Sequence, residues 1–540
     1  PVEALQLTDL VLAAEPGRDM LRRGGSATDA AGSALLGLTI VEPQSSGIGG
    51  GGFALVHEAR SSRLVGYDGR ETAPAAAKPD RFLRGGLPMA FGEAVQSGRS
   101  IGVPGLVRLI DEMHAKHGRI AWAELFAPAI RLARDGFAVS QRLHASLKWA
   151  GSQRFDSAAR ALFFDAAGEA RAVGELIVNT ALAETLERIA RDGARAFYEG
   201  EIADAIIAAV ANAPRSLGDL AREDLATYRA LEREPVCVDY RGRRVCGMGP
   251  PSSGGIAVAQ TLKLIEPFTE LAGNAAAMSP AAAHLVAEAG RLASAGRARF
   301  VAHPAFADIP AGLLDDAYLA VRRARIDAGL AMAKPAAGEP PGLRALTPGI
   351  DASRERAGTT HLSVVDAEGN AVALTATIEG AFGSGIMAAG FLLNNELTDF
   401  SFMPVDGAGR AIANRVEGGK RPRSSMAPTI VFGAGGEVEA VLGSPGGNRI
   451  ILYVVKALVG LLDWRMDADA AAAIANFGSR GRALVLERDS RLWPLAVALA
   501  SRGHRIVWDE MTSGLHIIVR KEGRLEGGAD PRREGVALGD

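Results

Sequence analysis

The sequence predicts an α+β protein built of layered β-sheets with helices packed outside them. Three observations carry that expectation. Helical periodicity runs through roughly 105–230 and returns over Pro280–Phe300. A segment broken by proline and glycine, 333–357, then interrupts the chain. Beyond it the hydrophobic period switches to two, and strand patterns are grouped with only two helices between them. At 540 residues the chain is too long for one ordinary core, so two lobes or one large composite domain are expected.

The elements follow in order. Ser26 is an N-cap candidate, and the Ala- and Leu-rich residues 26–38 read as a buried helix. Phe53–Glu58 and Arg63–Asp68 read as a hairpin with Ser61-Ser62 near the turn. The helical middle includes Ala123–Asp135 and Ala181–Asp192. Ala333-Lys334-Pro335, Glu339-Pro340-Pro341-Gly342 and Pro348-Gly349 break any regular element, and Ser353-Arg354-Glu355-Arg356 clusters charge. Residues 333–358 are therefore expected to form a linker or exposed processing segment. His361–Asp366 reads as a strand, Ala367-Glu368-Gly369-Asn370 as a turn, and Ala371–Thr377 as the returning strand. Pro428–Phe432, Glu437–Leu442 and His516–Arg520 are further strands, with helices over 448–462 and 466–475 among them. No internal repeat is visible.

Composition excludes several function classes. Hydrophobic residues make up 48% and charged residues 23%, the balance of a globular protein. A net charge of −2 and 5% aromatics give no footprint for nucleic acid or an anionic membrane. No run of about 18 apolar residues suggests a membrane span. The nine histidines show no close metal-ligand spacing, so neither a metal nor a cofactor is expected. Gly47–Gly52 resembles a nucleotide loop but precedes a strand, where such a loop should open a helix.

The two cysteines lie in Val236-Cys237-Val238-Asp239-Tyr240-Arg241-Gly242-Arg243-Arg244-Val245-Cys246. A two-residue turn at Arg241-Gly242 pairs Tyr240 with Arg243 and, counting outward, Cys237 with Cys246. Directly opposite positions are within disulfide reach. That predicts a disulfide and an oxidising compartment, periplasmic or secreted, with a reduced pair in the cytoplasm as the alternative. No signal peptide is visible; the chain starts at Pro1 instead of Met, so an upstream segment is expected to have been removed or left out.

The chemistry centres on Ala357-Gly358-Thr359-Thr360-His361. A threonine freed by cleavage of Gly358–Thr359 can use its own α-amino group to activate its hydroxyl. Thr360 is the alternative register. His361 is assigned to the strand face opposite the nucleophile, with a structural role.

Separated motifs agree with this site: Val41-Glu42-Pro43-Gln44-Ser45-Ser46-Gly47-Ile48-Gly49-Gly50-Gly51-Gly52-Phe53, Gly69-Arg70-Glu71-Thr72-Ala73-Pro74 and Pro250-Pro251-Ser252-Ser253-Gly254-Gly255 precede Thr359. After it come Leu393-Asn394-Asn395-Glu396, Asp399-Phe400-Ser401, Lys420-Arg421-Pro422-Arg423-Ser424-Ser425-Met426 and Gly443-Ser444-Pro445-Gly446-Gly447. In this order, from about residue 12 to the C-terminus, the set resembles the γ-glutamyltranspeptidases, which are N-terminal-nucleophile hydrolases.

The resemblance implies a precursor that cuts itself before Thr359, giving a large subunit, 1–358, and a small subunit, 359–540, in one four-layer αββα sandwich. It implies Thr359 as nucleophile, Thr377 as hydrogen-bond partner of its hydroxyl, and Gly446 and Gly447 as oxyanion hole. Arg70, helped by Ser424 and Ser425, would clamp the donor's carboxylate, and Glu396 and Asp399 would hold its ammonium. Two departures stand out. Glu379 follows Thr377-Ile378 where the family has asparagine, and a third carboxylate there should raise at least one pKa. The segment 402–419 is shorter than the family's lid, which would leave the site more open.

The implied activity is γ-glutamyl hydrolysis or transfer from a glutathione-like donor to water or to an amino-acid or peptide acceptor. A related acylase for another carboxylate-ended amide, such as a glutaryl-type β-lactam side chain or poly-γ-glutamate, is the alternative. A non-catalytic binding relative is the third reading.

Overall fold

Two antiparallel sheets face each other in this computed structural model, which describes residues 5–8, 10–343, 347–353, 355–356 and 358–539. The sheet strands in chain order are β1 (Leu5–Thr8), β2 (Gly51–Glu58), β3 (Arg63–Gly69), β4 (Leu231–Arg233), β5 (Val236–Tyr240), β6 (Arg243–Gly247), β7 (Thr359–Val365), β8 (Ala371–Thr377), β9 (Thr429–Phe432), β10 (Val438–Gly443), β11 (His516–Lys521), β12 (Arg524–Ala529) and β13 (Val536–Gly539). The first sheet runs β13-β1-β7-β8-β2-β3-β4 and the second β12-β11-β10-β9-β6-β5.

Strand alternation sorts each strand's residues between two apolar layers. On β7 and β8, Leu362, Val364, Val372 and Leu374 pack outward against α1 (Ala27–Val41), which is buried along its whole length, while Ala371 and Ala373 point to the other core. Helix α2 (Leu106–His117) covers β2 and β3 on the same outer side. Across the molecule, α3 (Gly254–Ile265) and α5 (Ile450–Leu462) cover the second sheet, and α4 (Pro280–Phe300) packs on α3. Between the sheets, β7 and β8 contact β10, and β7 contacts β11.

Local signals explain most of these elements. Ser26 accepts from the Asp29 N–H, and Asp29 accepts from the Ser26 N–H, a reciprocal cap that starts α1. The β5–β6 register is the one counted from the sequence, with Cys237 opposite Cys246 and joined to it as a disulfide. Strands β1, β4, β12 and β13 were not anticipated. A three-stranded sheet of Phe477–Ser479, Ala483–Glu487 and Arg505–Asp509 was also unexpected.

The processing segment is exposed over much of 333–352, with Ile350 at 50%, but it is drawn in where it meets Thr359. Gly358 is buried, Thr359 is 3% exposed, and the side chains of Asp351 and Glu355 are 1% and 5% exposed. These two acids bond to buried arginines, which draws the segment into the protein. Residues 344–346, Arg354 and Ala357 of that segment lie outside the described residues.

Candidate active site

The β7–β8 ladder sets Thr359 directly opposite Thr377. The Thr359 hydroxyl donates to Thr377 Oγ1 at 3.5 Å. Thr377 Oγ1 in turn donates to the Gly358 carbonyl at 2.5 Å and accepts from the Glu379 N–H at 2.8 Å. One donor and two lone pairs are thus all engaged, which fixes the hydroxyl against the carbonyl of the Gly358–Thr359 bond. Arg533 Nη1 donates to the Thr359 carbonyl at 3.2 Å, a contact no local sequence signal pointed to.

His361 lies on the same strand face as Thr359, contrary to the sequence reading, because residues two apart on a strand point the same way. Its Nδ1 is 2.8 Å from Thr375 Oγ1 and its Nε2 is 3.1 Å from Ser363 Oγ. It faces the second sheet so closely that a Cβ at Gly443 would lie 2.3 Å from its ring. Thr360 is fully buried on the other face.

Gly446 and Gly447 follow β10, with φ of 135° and 58°, conformations that favour glycine. A Cβ on Gly514 would meet both Pro445 and Arg533. Gly514 thus lies between Pro445, next to the glycine pair, and Arg533, which bonds the Thr359 carbonyl.

Arg70 is 1% exposed and sits among acids. Its guanidinium donates to Glu396, to Asp399 at 2.5 Å, and to the carbonyls of Pro422 and Arg423 at 3.2 and 3.0 Å. Glu71 is 4.0 Å away. Expected to offer its donors to a bound carboxylate, Arg70 here spends them inside the protein, because two buried acids are within reach. Burial raises Glu396 and Asp399 well above the usual carboxylate range; Arg70 opposes that rise, and neighbouring acids add to it. Burial likewise pushes Glu71 up to about 7, against the pull of Arg70.

Glu379 holds φ of 74°, a strained conformation for a non-glycine residue. Its carboxylate accepts from the Arg356 N–H at 2.9 Å and from Asn395 Nδ2. Burial raises its pKa, as the extra-carboxylate argument anticipated in direction. Asn394 Nδ2 donates to the carbonyls of Gly49 and Gly102 at 2.8 and 3.0 Å, bracing the loop that carries Glu396.

The serine pair divides. Ser424 Oγ accepts from the Met426 N–H at 3.1 Å, within its own loop. Ser425 Oγ donates to Glu355 and accepts from Arg297 Nη2 at 2.7 Å. Arg297 also donates to Glu355, and its Nε donates to Ser253 Oγ at 2.6 Å. Arg423 joins this group, 2.8 Å from Asp351 and 3.8 Å from Glu355. Burial works against ionising Glu355, but Arg297, Arg423 and Ser425 hold it down to about 2. Burial and the repulsion of Arg297 bring nearby Arg480 down to about 10. None of the Arg297, Glu355 and Asp351 roles was read from the sequence. Beside the segment a cavity of about 590 Å³ opens, lined by Met89, Phe91, Ile350, Phe402, Met403 and Ile412.

The chain is similar to known proteins along its length. A profile described as Gamma-glutamyltranspeptidase matches residues 13–540. A glutathione hydrolase proenzyme of Escherichia coli K12 is 36% identical over 96% of this chain and 89% of its own. An acylase ACY 1 proenzyme of Pseudomonas sp. SE83 is 33% identical over 98% and 92%. The crystal structure of a cephalosporin acylase from Bacillus halodurans superposes with a TM-score of 0.86 at 27% identity, covering 99% of this chain and 96% of that one. The Helicobacter pylori γ-glutamyltranspeptidase does so with a TM-score of 0.57 at 34% identity, over 63% and 95%. With a profile match over nearly its whole length, the chain belongs to the γ-glutamyltranspeptidase family.

Proposed function

We propose that this chain is the precursor of a threonine N-terminal-nucleophile hydrolase that cleaves the γ-glutamyl amide of glutathione-like donors. The carrying observation is the Thr377 hydroxyl on the Gly358 carbonyl, beside the Thr359 hydroxyl. A hydrogen bond there polarises the bond to be cut. Attack by Thr359 Oγ1 on the Gly358 carbonyl carbon breaks C–N and forms an ester. The Thr359 nitrogen takes the hydroxyl proton as C–N breaks and is freed as the α-amine; water then hydrolyses the ester, which leaves Gly358 as a carboxylate and restores the Thr359 hydroxyl. The products are a large subunit, 1–358, and a small one, 359–540. We read the facing sheets and their helix layers as the αββα sandwich of this superfamily.

In turnover the freed α-amine takes the Thr359 hydroxyl proton as the oxygen attacks the donor's γ-carbonyl. The Gly446 and Gly447 N–H groups receive the oxyanion. The amine leaves with the proton, and water or an acceptor amine then attacks the ester. The buried acids Glu379, Glu396 and Asp399, all with raised pKa, support a donor bearing an ammonium, which would compensate them. The Cys237–Cys246 bond supports an oxidising compartment, periplasmic or secreted.

An acylase acting on a carboxylate-ended amide without the amine is the second reading, favoured by the likeness to the cephalosporin acylase. Intact mass and a donor pair test both. A fragment beginning at Thr359 and a preference for γ-glutamyl-4-nitroanilide over glutaryl-4-nitroanilide support the first reading. The reverse preference supports the second, and an uncut chain without activity overturns both.

A further inference from the structure

Gly358 lies against a stretch of backbone that leaves no room for a side chain. A Cβ built on it in the L configuration would sit 2.4 Å from the Glu379 carbonyl oxygen, 2.5 Å from the Gly380 carbonyl carbon and 2.7 Å from the Ala381 nitrogen. All three are main-chain atoms, so no rotamer change can make way. The turn that carries them is fastened from several sides. The Glu379 N–H donates to Thr377 Oγ1 at 2.8 Å, and the Gly380 N–H donates to Asn395 Oδ1 at 3.0 Å. The Gly380 carbonyl accepts from the Gly383 N–H at 2.8 Å, and the Gly383 carbonyl accepts from Arg154 Nη2 at 2.9 Å. Phe382, fully buried, packs edge-on against Phe155 and lies beside Phe163. Gly358 is also the acyl residue of self-cleavage, with its carbonyl held by Thr377 Oγ1 beside the Thr359 hydroxyl. Moving that acyl group from nitrogen to Thr359 Oγ1 makes an ester on the same oxygen that a donor's acyl group esterifies in turnover. The carbon next to a donor's scissile carbonyl therefore takes the place of the Gly358 Cα.

We propose that the backbone of the turn 379–381 selects acyl donors at the carbon next to the scissile carbonyl, accepting a CH2 and rejecting a substituent placed like an L side chain. The proposal rests on the threonine-nucleophile reading above, and it applies to either donor class considered there. A γ-glutamyl group and a glutaryl group both present CH2 at that carbon, as glycine does. An ordinary α-linked peptide presents its side chain there, so L-aminoacyl groups other than glycyl are shut out as donors. The selection is repulsive and made by main chain, separate from the charged groups that meet the far end of the acyl chain.

The test gives the unaltered mature enzyme the two epimers of a γ-glutamyl-4-nitroanilide that carries a methyl group on the carbon next to the anilide carbonyl. Both epimers have the same head group, and comparing them cancels the effect of the methyl on the anilide's own reactivity. The epimer whose methyl is placed like an L side chain should show a kcat/KM about 10-fold or more below that of the other. A smaller ratio, or the opposite preference, overturns the proposal. A wild-type chain that cuts itself but hydrolyses no γ-glutamyl anilide refutes the γ-glutamyl reading alone, and self-cleavage then judges the turn. Followed by intact mass after synthesis, Gly358→Ala should cut itself about 10-fold or more slowly than the wild-type chain. Cutting at the wild-type rate overturns the proposal.

Discussion

Two buried charge clusters lie side by side near Thr359, and their compositions are opposite. In the first, one guanidinium, Arg70, is bonded to Glu396 and Asp399 with Glu71 4.0 Å away. In the second, Arg297 and Arg423 are compensated by Asp351 and Glu355, both in the segment before Thr359. They touch where Arg70 donates to the Arg423 carbonyl. The acid-rich cluster is built from fixed loops and helix ends, so its imbalance is permanent and appears as raised carboxylate pKa values. The arginine-rich cluster is balanced only while the uncut segment is in place.

The largest break of this comparison comes from Thr359→Ala. It should leave a single chain on a denaturing gel and lower donor hydrolysis by about 10³-fold or more, since nucleophile and base are lost together. A cut chain would refute the assigned position.

Next is Arg70→Ala, which strands two buried carboxylates. In the uncut Thr359→Ala background it should cost about 3–5 kcal/mol in denaturant unfolding. In the mature enzyme it should lower kcat/KM for a carboxylate-ended donor more than for a carboxylate-free one, as the proposed carboxylate role requires. Equal losses on both donors would confine Arg70 to compensating Glu396 and Asp399.

Glu379→Gln sharpens the first cluster. It keeps the shape that accepts from the Arg356 N–H and removes one charge from the acid group. KM for a γ-glutamyl donor should rise about 3- to 10-fold, with a smaller change for a glutaryl donor. Equal changes for both donors would separate Glu379 from ammonium binding.

The smallest expected effect is on pH dependence. Glu71 is raised from 4.5 to about 7, so the folded chain keeps a proton that the unfolded chain has lost. Its contribution is therefore full below the unfolded value and is lost as pH rises from about 4.5 to about 7. Glu71→Gln in the uncut background should flatten the fall in stability across that window. An unchanged slope from urea unfolding at several pH values would show that Glu71 is ionised throughout.

The sequence carried the parts whose physics is local. The β7–β8 hairpin was legible because its period and turn are written in consecutive residues, and the Thr359–Thr377 pairing follows from it. The disulfide followed by counting from Arg241-Gly242. The Arg297–Glu355 contact joins a helix read for its apolar periodicity to a segment read as a breaker, and neither pattern names a partner 58 residues away. Arg70 was placed in the site, but its partners Glu396 and Asp399 are more than 300 residues distant, and only the fold shows them consuming its donors. The short strand β1 carries too few residues to establish a period. For His361 the two-residue period itself places the ring on the nucleophile's face.

One feature of the first sheet bears on what cutting can do. Strand β7 begins at the proposed cut, yet it lies inside the sheet, laddered on one side to β1, while β8 is laddered to β2. Both β1 and β2 precede the cut, so backbone hydrogen bonds cross between the two pieces on either side of the β7–β8 hairpin. Separating the pieces would strip both edges of that hairpin and open the apolar layers above and below it. The nicked protein therefore has no docking equilibrium distinct from its folding equilibrium: its two chains come apart only by unfolding, so unfolding releases two molecules and the melting temperature should fall on dilution, as it would not for the uncut chain.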